Sequence, residues 1–116
     1  MKFIKYSELG WTMPVFMYIS KHTPDNCPAF HEKHRKSTVE LIETIDSLAK
    51  RHGIKLLGSW TDFPEHTIYM VFEGNLDAMQ KLQKEPRMMA WLSWNTMDRK
   101  IVSKNEEILE MLKKAK

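Results

Sequence analysis

The sequence predicts an α+β domain in the order β-α-β-β-α-β, with one more helix at the C-terminus. Three observations carry this. Residues 15–20 (VFMYIS) and 67–72 (TIYMVF) are apolar at nearly every position and bounded by turn residues, as short buried strands are. Between them, a long stretch ending at Gly53 repeats its apolar residues at spacings of three and four, which is helical. Downstream, a second, shorter helical pattern and a last extended segment complete the order.

Taken in sequence, Phe3, Ile4 and Tyr6 suggest a short strand before a break at Gly10, and residues 1–12 are expected to be an N-terminal extension of a single domain over 1–116. The first strand spans 15–20. The long helix is expected from Pro28, a favourable first helical residue, to His52, with Asp25 or Asn26 as its cap and Gly53 as its left-handed stop. Its apolar stripe is Leu41, Ile42, Ile45, Leu48 and Ala49, flanked by Val39. At about 100° per residue, the stripe extends backwards through Thr38, His34, His31 and Cys27. A second strand is expected over 54–60, with Ile54, Leu56, Gly58 and Trp60 on one face, and a third over 67–72. Gly74 and Asn75 lead into a helix over 76–84. Pro86 opens a short segment, and a fourth strand covers 95–102. Ser103 and Glu106 have capping-box spacing for the last helix.

This order is the split βαβ, ferredoxin-like arrangement with a four-stranded antiparallel sheet. The helices of such a fold cover only one face of the sheet. Because two strands are apolar on both faces, a second copy of the same sheet is the simplest cover for the other, and a homodimer is expected.

Composition narrows the function classes. One domain is the expectation for 116 residues. A net charge of +3 is too mild to argue for nucleic acid. The third strand also lacks the glycine and basic start of an RNA-recognition motif, so no nucleic-acid partner is expected. No apolar run approaches the roughly 20 residues of a membrane span, and the N-terminus lacks a secretory h-region. With a single cysteine suited to a reducing compartment, a cytoplasmic protein without a membrane partner is expected.

The chemistry concentrates in residues 22–34, HTPDNCPAFHEKH, which hold three of the five histidines and the only cysteine. The expected topology adds His66, Asp62 and the indoles of Trp60, Trp91 and Trp94 at the same end of the protomer, leaving His52 at the other. Convergent polar groups in an apolar mouth are the profile of a small-ligand site. A metal reading takes His22, Cys27, His31 and His34 as ligands, with His66 able to replace one. Zinc, iron or copper accept such nitrogen and sulfur donors, and one histidine could instead hold haem. A thiol reading makes Cys27 a nucleophile beside His31. An acid–base reading has His22, His66 or Asp62 take a proton from a ring held against Trp60 and Tyr69. Trp60, Tyr69 and Trp91 are the aromatic side chains expected to contact a cofactor or substrate. Against these stands the plain alternative of packed aromatics, hydrogen-bonded histidines and an inert buried cysteine.

The strings HTPDNCP (22–28), KLLGSW (55–60) and HTIYMVFE (66–73), over roughly residues 15–103, resemble a family of small prokaryotic proteins without assigned activity in the dimeric α/β-barrel superfamily. That resemblance implies a homodimer with a pocket between sheet and helices. Within the superfamily, it brings cofactor-free monooxygenases, haem-degrading oxygenases, lactone isomerases and haem-binding dismutases into view without selecting one. The expectation is a pocket for a small molecule or transition metal, with oxidoreductase chemistry as the activity such a centre supports. A cofactor-free monooxygenase or isomerase and a non-catalytic binding or assembly protein stand as alternatives.

Overall fold

The structure, a computed structural model, describes residues 14–115. The expected N-terminal extension lies outside the described residues. The chain runs β1 (Val15–Lys21), a 3-10 turn (Pro24–Asn26), α1 (Glu32–Arg51), β2 (Lys55–Asp62), β3 (Thr67–Glu73), α2 (Leu76–Gln83), α3 (Pro86–Leu92), β4 (Thr96–Val102) and α4 (Asn105–Lys114). The four strands form one sheet in the order β2-β3-β1-β4, every neighbouring pair antiparallel. This α+β architecture is compatible with the ferredoxin-like arrangement. No helix among the described residues is long and apolar enough to cross a membrane.

Strand alternation sorts the sheet into two faces. Phe16, Tyr18 and Ser20 of β1 lie opposite Phe72, Met70 and Ile68 of β3, and all six are buried. They meet Leu41, Ile45, Leu48 and Ala49 of α1, Met79 and Leu82 of α2, and Met88 and Trp91 of α3 in one core. The reverse face carries Met17 and Ile19 opposite Val71 and Tyr69, all only half-buried.

α1 begins at Glu32, not Pro28. Neither Asp25 nor Asn26 caps it. His31 does, its Nδ1 accepting the His34 N–H at 3.2 Å. Ahead of the helix the Cys27 carbonyl accepts two amides, from Phe30 at 2.9 Å and His31 at 3.0 Å. The Arg35 guanidinium ties down the carbonyls of Pro28 (3.0 Å) and Ala29 (2.9 Å). A folded turn thus satisfies the polar backbone that a longer helix would have used. At the other end Gly53, at φ 72°, stops α1 as expected, and the Ile54 amide closes back on the Ala49 carbonyl at 2.9 Å.

Two further expectations change. The pairing of β2 with β3 slips at Leu57, so Leu56 lies opposite Phe72 while Gly58 lies opposite Val71. The bulge puts Leu56 and Trp60 on opposite faces, although simple alternation puts them on the same one. The capping box at Ser103 and Glu106 does not form. Lys104 occupies the cap position of α4, without a side-chain cap, and its ammonium pairs with Glu73 of β3 at 3.5 Å.

Candidate functional site

The end of β1 and the start of β3 are adjacent antiparallel partners, Lys21 opposite Thr67. One residue beyond that pair, the His22 amide donates to the His66 carbonyl at 3.2 Å, which brings the two histidines together. Their rings meet edge to face, centroids 5.3 Å apart. His66 closes the turn after β2 with φ 52°, the left-handed region that a non-glycine residue seldom occupies.

Cys27 reaches the same point from the α1 side. The 3-10 turn delivers it, its amide donating to the Pro24 carbonyl at 3.2 Å, and it is buried. One ligating atom each from His22, Cys27 and His66 lies within 4.8 Å of the other two. Neither ring nitrogen of His22, nor Nδ1 of His66, makes a hydrogen bond of good geometry, although all three are buried and the Asn95 side chain lies close to His22. Buried polar nitrogens without well-formed hydrogen bonds are costly, and three of them at one point make this cluster the candidate site.

Burial, and secondarily the neighbouring His66, hold the His22 pKa below the ordinary 6.5, with Asn95 acting in the opposite direction. His22 is therefore neutral at neutral pH, the form that ligates a metal or accepts a proton.

The other two histidines of the motif stand apart from this cluster, and their nitrogens have duties. His31 Nδ1 is the helix cap, and His34 Nδ1 donates to the Asn26 carbonyl at 3.0 Å. Their rings stack on each other at 3.6 Å, and His34 stacks on Trp94 at 4.2 Å. Because α1 starts at Glu32, Cys27 and His31 precede the helix. The single inward helical stripe expected to link Cys27, His31 and His34 is not formed.

Two cavities share the pair His22 and His66. An open groove of about 800 Å³ runs between Lys21–Pro24 and the segment Ser93–Thr96, with Trp94 and Asn95 in its wall. A slot of about 140 Å³ lies between the start of α1 and the β2–β3 turn, with Cys27 in its lining. Of the aromatic side chains expected here, Trp94 lines the groove, and Trp60, Tyr69 and Trp91 line neither cavity. Trp60 is exposed and, like Tyr69, points from the reverse face of the sheet, while Trp91 is fully buried in the core. Asp62 accepts the Glu65 amide at 3.3 Å within the turn. Met88 is core, and Met89 is exposed. Sequence reasoning gave no role to Asn95, Phe63 or the hydroxyl of Thr38. Asn95 and Phe63 flank the histidines only after the chain has folded. Compared with family models, curated proteins and solved structures, the chain matches none.

Proposed function

We propose that this chain is a homodimeric α/β-barrel protein of the ferredoxin-like kind, and that each protomer binds one transition-metal ion through His22, Cys27 and His66. The carrying observation is the cluster of three ligating atoms within 4.8 Å, in which the imidazole nitrogens of His22 make no hydrogen bond of good geometry. In a tetrahedral site, bonds of about 2.0–2.3 Å put neighbouring ligand atoms roughly 3.3–3.7 Å apart. The triad would need to contract by at most about 1.5 Å to reach that spacing. Two imidazoles and a thiolate suit zinc, copper or iron, and three protein ligands leave a position open to a small molecule. With copper or iron, the activity such a centre supports is oxidoreductase chemistry.

Cobalt(II) titration of untagged protein tests the metal site. The expected outcome is one equivalent per chain, with a thiolate-to-cobalt absorption band that Cys27→Ser removes and that His22→Ala or His66→Ala weakens at least about tenfold. His31→Ala and His34→Ala should leave the band in place. Absence of the band, with no stoichiometric uptake of zinc or copper, would falsify the metal reading.

One observation favours a second reading, a cofactor-free acid–base enzyme. A neutral imidazole at His22, without a well-formed hydrogen bond, forms part of the wall of an open groove, as a general base for a bound substrate would. A protein that takes up no metal, yet loses turnover of a substrate on His22→Gln, would belong to that class.

A further inference from the structure

The slot behind the histidines differs in kind from the groove in front of them. Its walls are Pro28, Ala29, Ile42, Phe63 and Ile68, and no side chain with a full charge lines it apart from the titratable His22, Cys27 and His66 at its inner end. At about 140 Å³ it is close to the size of an apolar cavity that holds a benzene ring, about 150 Å³. An ion entering such a space would lose its hydration without a counter-charge. Two threonines also belong to the lining, Thr61 at its exposed rim and Thr38 inside. Thr38 is buried, at 8 % exposure, and its hydroxyl has no partner, although a helical threonine ordinarily bonds the carbonyl one turn back.

We propose that the slot binds a small neutral molecule, mostly hydrocarbon and carrying one hydrogen-bonding atom, of about the size of phenol. The apolar walls take up the hydrocarbon, the Thr38 hydroxyl receives the polar atom, and the Cys27 thiol and the two imidazoles meet the ligand's inner edge. Apart from His22 and His66 the slot and the groove share no lining residue, so such a ligand reaches the histidines by a route of its own. Polar molecules approach His22 and His66 past Lys21 and Asn95, and hydrocarbon approaches past Ile42 and Phe63. The inference deepens the reading of His22, Cys27 and His66 as the reactive centre, but occupancy of the slot does not require a metal ion.

Methyl-resolved NMR of the full chain, titrated separately with phenol, benzene and benzoate, tests the proposal. Phenol is expected to shift the methyl signals of Thr38, Ile42 and Ile68 saturably, with a Kd of roughly millimolar order. Benzene should bind more weakly and benzoate should leave these signals unmoved. Thr38→Val should weaken phenol about fivefold to tenfold and spare benzene. Ala29→Phe, at an exposed wall position, should fill the slot and abolish both responses. Cobalt titration of the same two variants should match the parent, so that loss of the metal site and loss of the slot are separate results. Phenol leaving the three methyl groups unmoved, or benzoate binding as well as phenol, overturns the assignment.

Discussion

His66 holds a backbone conformation that costs an ordinary residue about 1 kcal/mol, and histidine tolerates it better than most. Its imidazole is also one of the three groups with a ligating atom at the cluster. The two properties can be separated. His66→Asn keeps a residue at ease in the left-handed region and removes the ring, so the fold should persist and cobalt binding should fall at least about tenfold. His66→Gly relieves the backbone and should raise or preserve thermal stability, by up to about 1 kcal/mol, while also losing the metal. Urea titration beside cobalt titration checks both variants, and retained cobalt affinity in both would remove His66 from the site. At this scale the sequence was partly legible. The histidine- and cysteine-rich residues 22–34 contain two members of the cluster, His22 and Cys27, and the antiparallel neighbours β1 and β3 made His22 and His66 natural partners. The division of labour was hidden, because whether a histidine caps a helix, stacks on an indole or faces a cluster depends on where α1 begins.

The boundary of α1 explains most of what the sequence concealed. Proline at position 28 is a fair signal for a first helical turn. Here the carbonyls of Pro28 and Ala29 are taken by the Arg35 guanidinium, a contact that local propensity does not contain. The far end of the same helix was easier to read, since Gly53 serves as the stop whatever surrounds it. That end also carries a charge cluster. Glu85, between α2 and α3, lies 2.8 Å from His52 Nε2 and 3.3 Å from the Arg51 guanidinium, joining the C-terminus of α1 to the start of α3. The His52 hydrogen bond, reinforced by Arg51, holds the Glu85 pKa below its ordinary 4.5. The unfolded chain therefore binds the proton more readily. The contribution is complete above the ordinary carboxylate range and is lost as pH falls through the lowered folded-state value. Glu85→Gln should lower the urea midpoint at neutral pH and converge on the parent once pH falls below the lowered Glu85 value. A difference that persists unchanged in acid would show that the pair acts through packing rather than charge.

Across the whole molecule, the two faces of the sheet have unequal fates. One is sealed by α1, α2 and α3. The other leaves Met17, Ile19, Tyr69 and Val71 half-buried and Trp60 exposed. The alternation rules that identified the strands also identified this second apolar face, so the architecture was the most legible level of all. Four runs of extended sequence and their order suffice for an antiparallel α+β sheet. A homodimer that covers this face should give a mass in light scattering of twice 13.8 kDa at micromolar concentration. Val71→Lys, at the centre of the face, should halve that mass while leaving the far-ultraviolet spectrum unchanged. A parent protein that scatters as a single 13.8 kDa chain would remove the dimer.

The slip at Leu57 decides which of these faces receives an indole. If β2 and β3 stayed in step from Leu56, Trp60 would stand opposite Ile68, on the wall of the slot, where simple alternation expects it. With one residue unpaired, Trp60 stands opposite Tyr69 and Thr61 takes the place beside Ile68. Gly58 is the visible sign of the arrangement. The Trp60 ring lies directly over it, so that even a single methyl group there would collide with the indole. The bulge therefore acts as a parity setting for the strand. Deleting Leu57 would close the bulge into a regular ladder and leave Trp60 opposite Tyr69, whereas pairing Leu57 with Val71 would carry the indole through the sheet to stand opposite Ile68. The unpaired residue is thus what lets Leu56 face the core while the broadest ring of β2 stays on the open face, and what sets Thr61 rather than an indole at the slot wall.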